Sequence, residues 1–152
     1  MQQKAYDGLV IAEDLRKIDF TSKGHRGNIP KRILFIPTED PEMDDLEFGD
    51  ITQNGDINVY SISNNGDRDM ILATLIDAIG RYTQLYPDRW IHFSGSTEGR
   101  TRMCRMAISR NLEEHSRSFD ICVNANGGLI PFQRNMDVYD FYIRRKALKI
   151  AV

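Results

Sequence analysis

The sequence is poor in the features that most readily betray a function. It has two cysteines, Cys104 and Cys122, far apart and in no CxxC arrangement. Beside them stand three scattered histidines, His25, His92 and His115, so no zinc site is expected. The thiols read as reduced and mostly buried. No run approaches the roughly 18–20 apolar residues of a membrane span, and Met1–Asp7 lacks the apolar stretch of a secretory leader. The expectation is a cytoplasmic protein with no membrane partner. Charge of one sign is missing as well: 20 basic and 22 acidic residues leave a net charge of −2. That excludes a protein that wraps nucleic acid with its whole surface, though not a local basic site. A GxxxxGK[ST] loop, a GxGxxG turn, a nucleophile elbow and paired catalytic carboxylates are absent, and Asp40–Asp45 lacks the calcium-loop positions. No cofactor is implied.

What is present describes a globular fold. With 41% apolar and 28% charged residues, 152 residues suffice for one domain, 1–152, with a core of its own. Ile18–Thr21 alternates in the strand manner, Lys23–Asn28 turns on two glycines, and Arg32–Ile36 is closed by Pro37. Together they predict a β-hairpin with a basic tip (Lys23, His25, Arg26, Lys31, Arg32). Thr38–Asp45 reads as an acidic loop. Leu46–Asp50 and the alternating Ile57–Ser63 flank an Asn54-Gly55-Asp56 turn. Asn64-Asn65-Gly66-Asp67 is a sharp break in which Asp67 suits a helix N-cap. Leu72, Leu75, Ile76, Ile79 and Tyr82 then recur at helical spacing as far as Tyr86-Pro87, and that stripe reads as a core face. Strand-like Trp90–Phe93 leads to a second helix over about residues 100–115. Phe119–Asn124 and Leu129–Phe132 flank a turn at Asn126–Gly128, and Tyr139–Ile143 is either a strand or a short helix. The order predicts an α+β fold: a mostly antiparallel sheet with two main helices packed on one face.

Unusual chemistry is concentrated in Ser94–Arg102 and Arg105. At about 100° per residue, Met103, Cys104, Ala107, Ile108 and Asn111 share one arc of the second helix, Arg102, Arg105 and Ser109 the opposite one. Arg100 is phased with the core-facing arc, so it either snorkels outward or holds something in a cleft. A strand running through Ser-Gly-Ser-Thr-Glu-Gly into a helix leaves backbone N–H groups without intrahelical partners. Ser96, Thr97, Arg100, Thr101, Arg102 and Arg105 are therefore the candidate ligand-binding set, suited to a phosphate or carboxylate. The competing reading is structural: a hydroxyl caps the helix and the arginines pair with Glu98, Glu113, Asp67 or Asp120. His92, on the strand entering the turn, and His25, at the hairpin tip, are candidates for proton transfer.

The segments Ser63–Asp67, Tyr86-Pro87 and Gly95-Ser96-Thr97…Arg100-Thr101-Arg102…Arg105-Met106 carry a resemblance when taken in this order. Together they resemble a bacterial family of roughly 150-residue proteins catalogued as a domain of unknown function, with an NNGD turn, a YP pair and a GSTxxRTRxYRM segment. Residue by residue, the resemblance points to Gly95, Ser96, Thr97, Arg100, Thr101, Arg102 and Arg105. Cys104 stands where the family pattern has an aromatic residue. The functional expectation is a binding module for a phosphate-bearing ligand, RNA or a nucleotide, with a small toxin-like nuclease as its enzymatic version. The alternative is a protein-interaction module of a two-component regulatory or defence pair.

Overall fold

Alternation of apolar and polar residues builds most of the sheet, which has nine strands among the described residues. The structure is a computed structural model and describes residues 4–59, 64–94, 98–136, 138 and 140–147. In chain order the elements are β1 (Val10–Ile11), β2 (Lys17–Gly24), β3 (Gly27–Pro37), β4 (Met43–Ile51), β5 (Ile57–Asn58), α1 (Arg68–Leu85) and β6 (Trp90–Ser94). There follow α2 (Glu98–Arg110), α3 (Leu112–Ser118), β7 (Phe119–Ala125), β8 (Gly128–Pro131) and β9 (Asp140–Arg145). The sheet order is β1-β2-β3-β4-β6-β9-β7-β8, with β5 on β4. Each pairing is antiparallel except β4 with β6, which run parallel over Met43↔Trp90 to Asp45↔His92. The architecture is α+β with a mostly antiparallel sheet.

Several local expectations need correction. The second helix breaks at Asn111, so the described residues hold three helices rather than two. Met43–Asp45, read as loop, begin β4, because Asp44 turns inward (0% exposed) to accept hydrogen bonds from Tyr82 and from Arg89 Nη1, the latter at 2.7 Å. Of the strand expected over Ile57–Ser63, only Ile57–Asn58 pair, and residues 60–63 lie outside the described residues. Of Tyr139–Ile143, residues 140–143 belong to the strand β9 (Asp140–Arg145), and Tyr139 lies outside the described residues. The hairpin tip is less basic than it reads: Lys31 is buried against Asp50, and Arg32 grips Asp19 through two hydrogen bonds of 2.8 and 3.0 Å.

The Asn-Asn-Gly-Asp break has a different job from capping. Asp67 precedes α1 but makes no side-chain cap. Its carboxylate instead accepts from the Tyr6 and Ser22 hydroxyls, in a site where Asp67 is 8% exposed. The Asn65 amide meanwhile donates to Gly27 O (2.9 Å) and Ser22 Oγ (3.0 Å), and its Oδ1 accepts from Arg26 N (2.7 Å). Residues 65–67 thus latch the start of α1 to the β2–β3 hairpin. Gly24 makes this possible, since a Cβ there would fall 1.7 Å from Asn65 O.

The core runs along the sheet through Ile18, Phe20, Ile33, Phe35, Ile91, Phe93, Phe141 and Ile143, with Ala78, Ile79 and Tyr82 of α1 above it. Tyr82 stacks on Phe35 with ring centroids 4.0 Å apart. Burial and the bond to Asp44 push the Tyr82 hydroxyl up to about 12.

Candidate functional site

The stripe of α1 that reads as core is only half closed. Ala78, Ile79 and Tyr82 are buried, yet Ile71, Leu72, Leu75 and Ile76, one to two turns earlier, are not. On α2 the core-phased Met103, Cys104 and Ala107 are likewise partly open, and only Ile108 is buried. These residues face one another across a cavity of about 340 Å³. Leu46 and Phe48 of β4, Phe93 of β6 and Ile143 of β9 form its floor.

Topology explains the space. Parallel β4 and β6 are paired for three residues and then separate, β4 continuing toward β5 and β6 turning into α2. The cavity lies beside the stretch where the two strands are no longer paired, residues 46–48 of β4 and 93–94 of β6.

Arg100 stands at the β4 end of this cavity. Its Nη1 donates to Phe48 O at 3.1 Å and to Val59 O, and its guanidinium lies 5.6 Å from the Phe48 ring centroid. Gly49 lets this happen, because a Cβ there would lie 2.1 Å from Asn58 O and would push residues 58–59 off the strand. Backbone carbonyls thus orient the guanidinium. Desolvation lowers its pKa, opposed by the field of nearby Asp50. Cys104, in the same wall, has its thiol pushed up to about 11 by burial, so it is a protonated apolar group rather than a nucleophile.

At the other polar edge sits His92. Its Nδ1 lies 3.0 Å from Asp45 Oδ1 and its Nε2 2.9 Å from Asp140 Oδ1, and its ring packs on Tyr142 at 4.8 Å. Each ring nitrogen thus faces one carboxylate. The trio clips β4, β6 and β9 together. The carboxylates sit on opposite sides of the ring, which is no arrangement for a metal, and no metal-binding group occurs among the described residues. Glu47 and Ser94, both exposed, also reach the cavity.

Four of the six residues expected to bind ligand lie among the described residues. Arg100 lines the cavity, Thr101 is buried at 6% exposure, Arg102 is exposed, and Arg105 is partly buried. Ser96 and Thr97 lie outside the described residues. His25 packs its ring against Gly66 at the latch, whereas His92 is held by Asp45 and Asp140, so the two histidines share no site. Among the described residues Glu113 meets Arg134, Asp120 meets Arg144, and Asp67 meets Tyr6 and Ser22. Sequence reasoning missed Phe48, Val59 and the two partners of His92. None of them carries a sequence signal, because a carbonyl or a cross-strand neighbour becomes functional only through register.

Among the described residues no helix is long and apolar enough to cross a membrane. No curated protein and no solved structure matches the chain. A family model does match, over residues 2–146, which accords with the resemblance noted above. The chain belongs to DUF6934, a family of unknown function.

Proposed function

We propose that this protein is a non-catalytic binding module for a small anionic ligand, held in the cavity between α1, α2 and the parting strands. One observation carries the reading: the apolar stripes of both main helices, which we take to cover one face of the sheet, stay partly open around a cavity of about 340 Å³ with Arg100 in its wall. That volume lies within the range of small-molecule pockets, roughly 300–1,000 Å³. Relative to the phosphate-bearing ligand expected from the sequence, the proposal is narrower in size and wider in chemistry. A cavity of this volume favours a small molecule over an RNA strand, and a guanidinium binds a carboxylate as well as a phosphate. The nuclease version gains no support, since both His92 nitrogens already face carboxylates.

Thermal-shift and calorimetric titration of the full chain against small phosphates and carboxylates test the proposal. Ligand-induced stabilisation should disappear in Ala107→Phe, whose ring would occupy the cavity. Binding that persists in that variant, or no binding by any of the compounds, would refute it.

The protein-interaction reading has an observation of its own. β8 is an edge strand with Leu129 and Ile130 exposed at 41% and 37%, a surface suited to strand addition. Association through it would be insensitive to salt and abolished by Ile130→Lys.

A further inference from the structure

One stretch of surface gathers cations from three parts of the chain. At the tip of the β2–β3 hairpin Lys23, His25 and Arg26 are exposed, and neither Lys23 nor Arg26 makes an ion pair among the described residues. The latch sets this tip against the start of α1: Arg26 N donates to Asn65 Oδ1 at 2.7 Å, and the His25 ring lies against Gly66. Two residues further on, α1 brings Arg68, and the end of α2 brings Arg110. Arg68 Nε and Arg110 Nη1 share Asp69 Oδ1 at 3.7 and 3.5 Å, and both arginine side chains are more than half exposed.

The carboxylates in contact with this group do not balance it. Asp67 is buried beneath the surface, where Tyr6 and Ser22 hold it, and Asp69 alone serves two arginines. Lys4 and Asp7, exposed on either side of Tyr6, offset one another. Beyond Arg110, Glu113 is taken by Arg134, and Glu114 closes the patch. Four permanent cations and an imidazole therefore stand around two carboxylates, in a chain whose net charge is −2. Such a local excess attracts a polyanion, and the latch holds it in one arrangement before any partner arrives.

The surface itself narrows the choice of polyanion. None of the exposed large apolar side chains among the described residues is aromatic, so the patch offers no platform on which the bases of a single strand could stack. Phosphates of a duplex need no such platform. The tip is also slim: Gly24 pairs with Gly27 across a two-residue turn, so only His25 and Arg26 carry side chains at its end. A two-stranded ribbon of this kind enters the major groove of B-form DNA, about 12 Å wide, whereas the major groove of an A-form RNA duplex is too narrow to admit it.

We infer that this patch is a docking surface for duplex DNA, with the β2–β3 tip at the major groove and Arg68 and Arg110 against the flanking phosphates. The inference is independent of the cavity and of any ligand held there.

Fluorescence-anisotropy titration of the full chain with a DNA duplex tests it. At about 0.9 per phosphate, four contacts give a slope of about −3 to −4 in log K against log salt, so affinity should fall about a hundredfold between about 50 and 200 mM salt. The double variant Lys23→Gln, Arg26→Gln should halve that slope, and Arg68→Gln, Arg110→Gln should do the same, each variant's folding being checked by its Tm. Should one of them fail to fold, the other decides the same point. Arg81→Gln, exposed near the other end of α1, should leave binding unchanged. Single-stranded DNA and an RNA duplex of the same sequence should bind more weakly than the DNA duplex. No duplex binding at the lower salt, a slope that both double variants leave intact, or an equal loss in Arg81→Gln would overturn the site. Tighter binding of the single strand or of the RNA duplex would overturn the assignment to duplex DNA, and so would binding to anionic lipid vesicles in its place.

Discussion

Filling the cavity by one side chain should stabilise the protein, which few core substitutions do. Ala107 lines the open side of α2, so Ala107→Leu places three further carbons in existing space. At about 0.8 kcal/mol per buried methylene the gross gain is about 2.4 kcal/mol. Loss of leucine rotamer freedom takes back about 0.5–1 kcal/mol, leaving about 1.5–2 kcal/mol. For a chain of this size each kcal/mol shifts Tm by about 2–4 °C, so a rise of about 3–8 °C is expected by differential scanning calorimetry. Ala78→Leu is the control. Ala78 is 0% exposed in α1 against the sheet, and overpacking there should cost about 1–3 kcal/mol and lower Tm. The two substitutions are chemically the same and differ only in whether room exists. If Ala107→Leu lowers Tm as Ala78→Leu does, the cavity is not available space and the reasoning built on it fails.

Other consequences follow from the polar contacts. Asn65→Ala should cost about 2–4 kcal/mol, the sum of its three hydrogen bonds, and accelerate exchange of the Arg26 amide; unchanged exchange there would show that the latch does not hold the hairpin. Gly24→Ala should prevent the latch from closing, because its Cβ would overlap Asn65 O, and is expected to unfold the protein or to destabilise it by several kcal/mol in urea titration. Alkaline stability should fall in two windows. Cys104 and Tyr82 both have folded values raised above their ordinary 9 and 10, so the stabilisation each contributes is full below those values and is lost as pH rises to about 11 and about 12 respectively. Tyr82→Phe should flatten the loss between pH 10 and 12, as read from the pH dependence of the urea midpoint.

Much of the fold was legible because it rests on period and punctuation. The β2–β3 hairpin, α1 and its end at Tyr86-Pro87, and β6 and β7 appear where alternation, helical spacing and turn residues put them. The errors have a common source in partners that lie far off in sequence. Asp67 looks like a cap from its neighbours alone, but Tyr6 and Ser22 claim its carboxylate across 61 and 45 residues. Lys31 looks like a solvated hairpin charge until β3 pairs with β4 and sets Asp50 beside it. For the candidate site, helix phasing placed Arg100 and the apolar arc of α2 correctly toward the interior. Whether an inward face meets protein or open space depends on the separation of β4 and β6, which no local pattern encodes.

That separation has a mechanical side. The sheet consists of two antiparallel leaves, β1 to β5 and β6 to β9, stitched together by three residue pairs and the His92 clip. Under load, the stitch is where the leaves should part first, and the cavity extends the same line of weakness beyond the last stitch. A molecule bound there would act as a rivet, adding to one side of the tear what the backbone supplies on the other. In that sense occupancy would be read out as stiffness of the whole sheet.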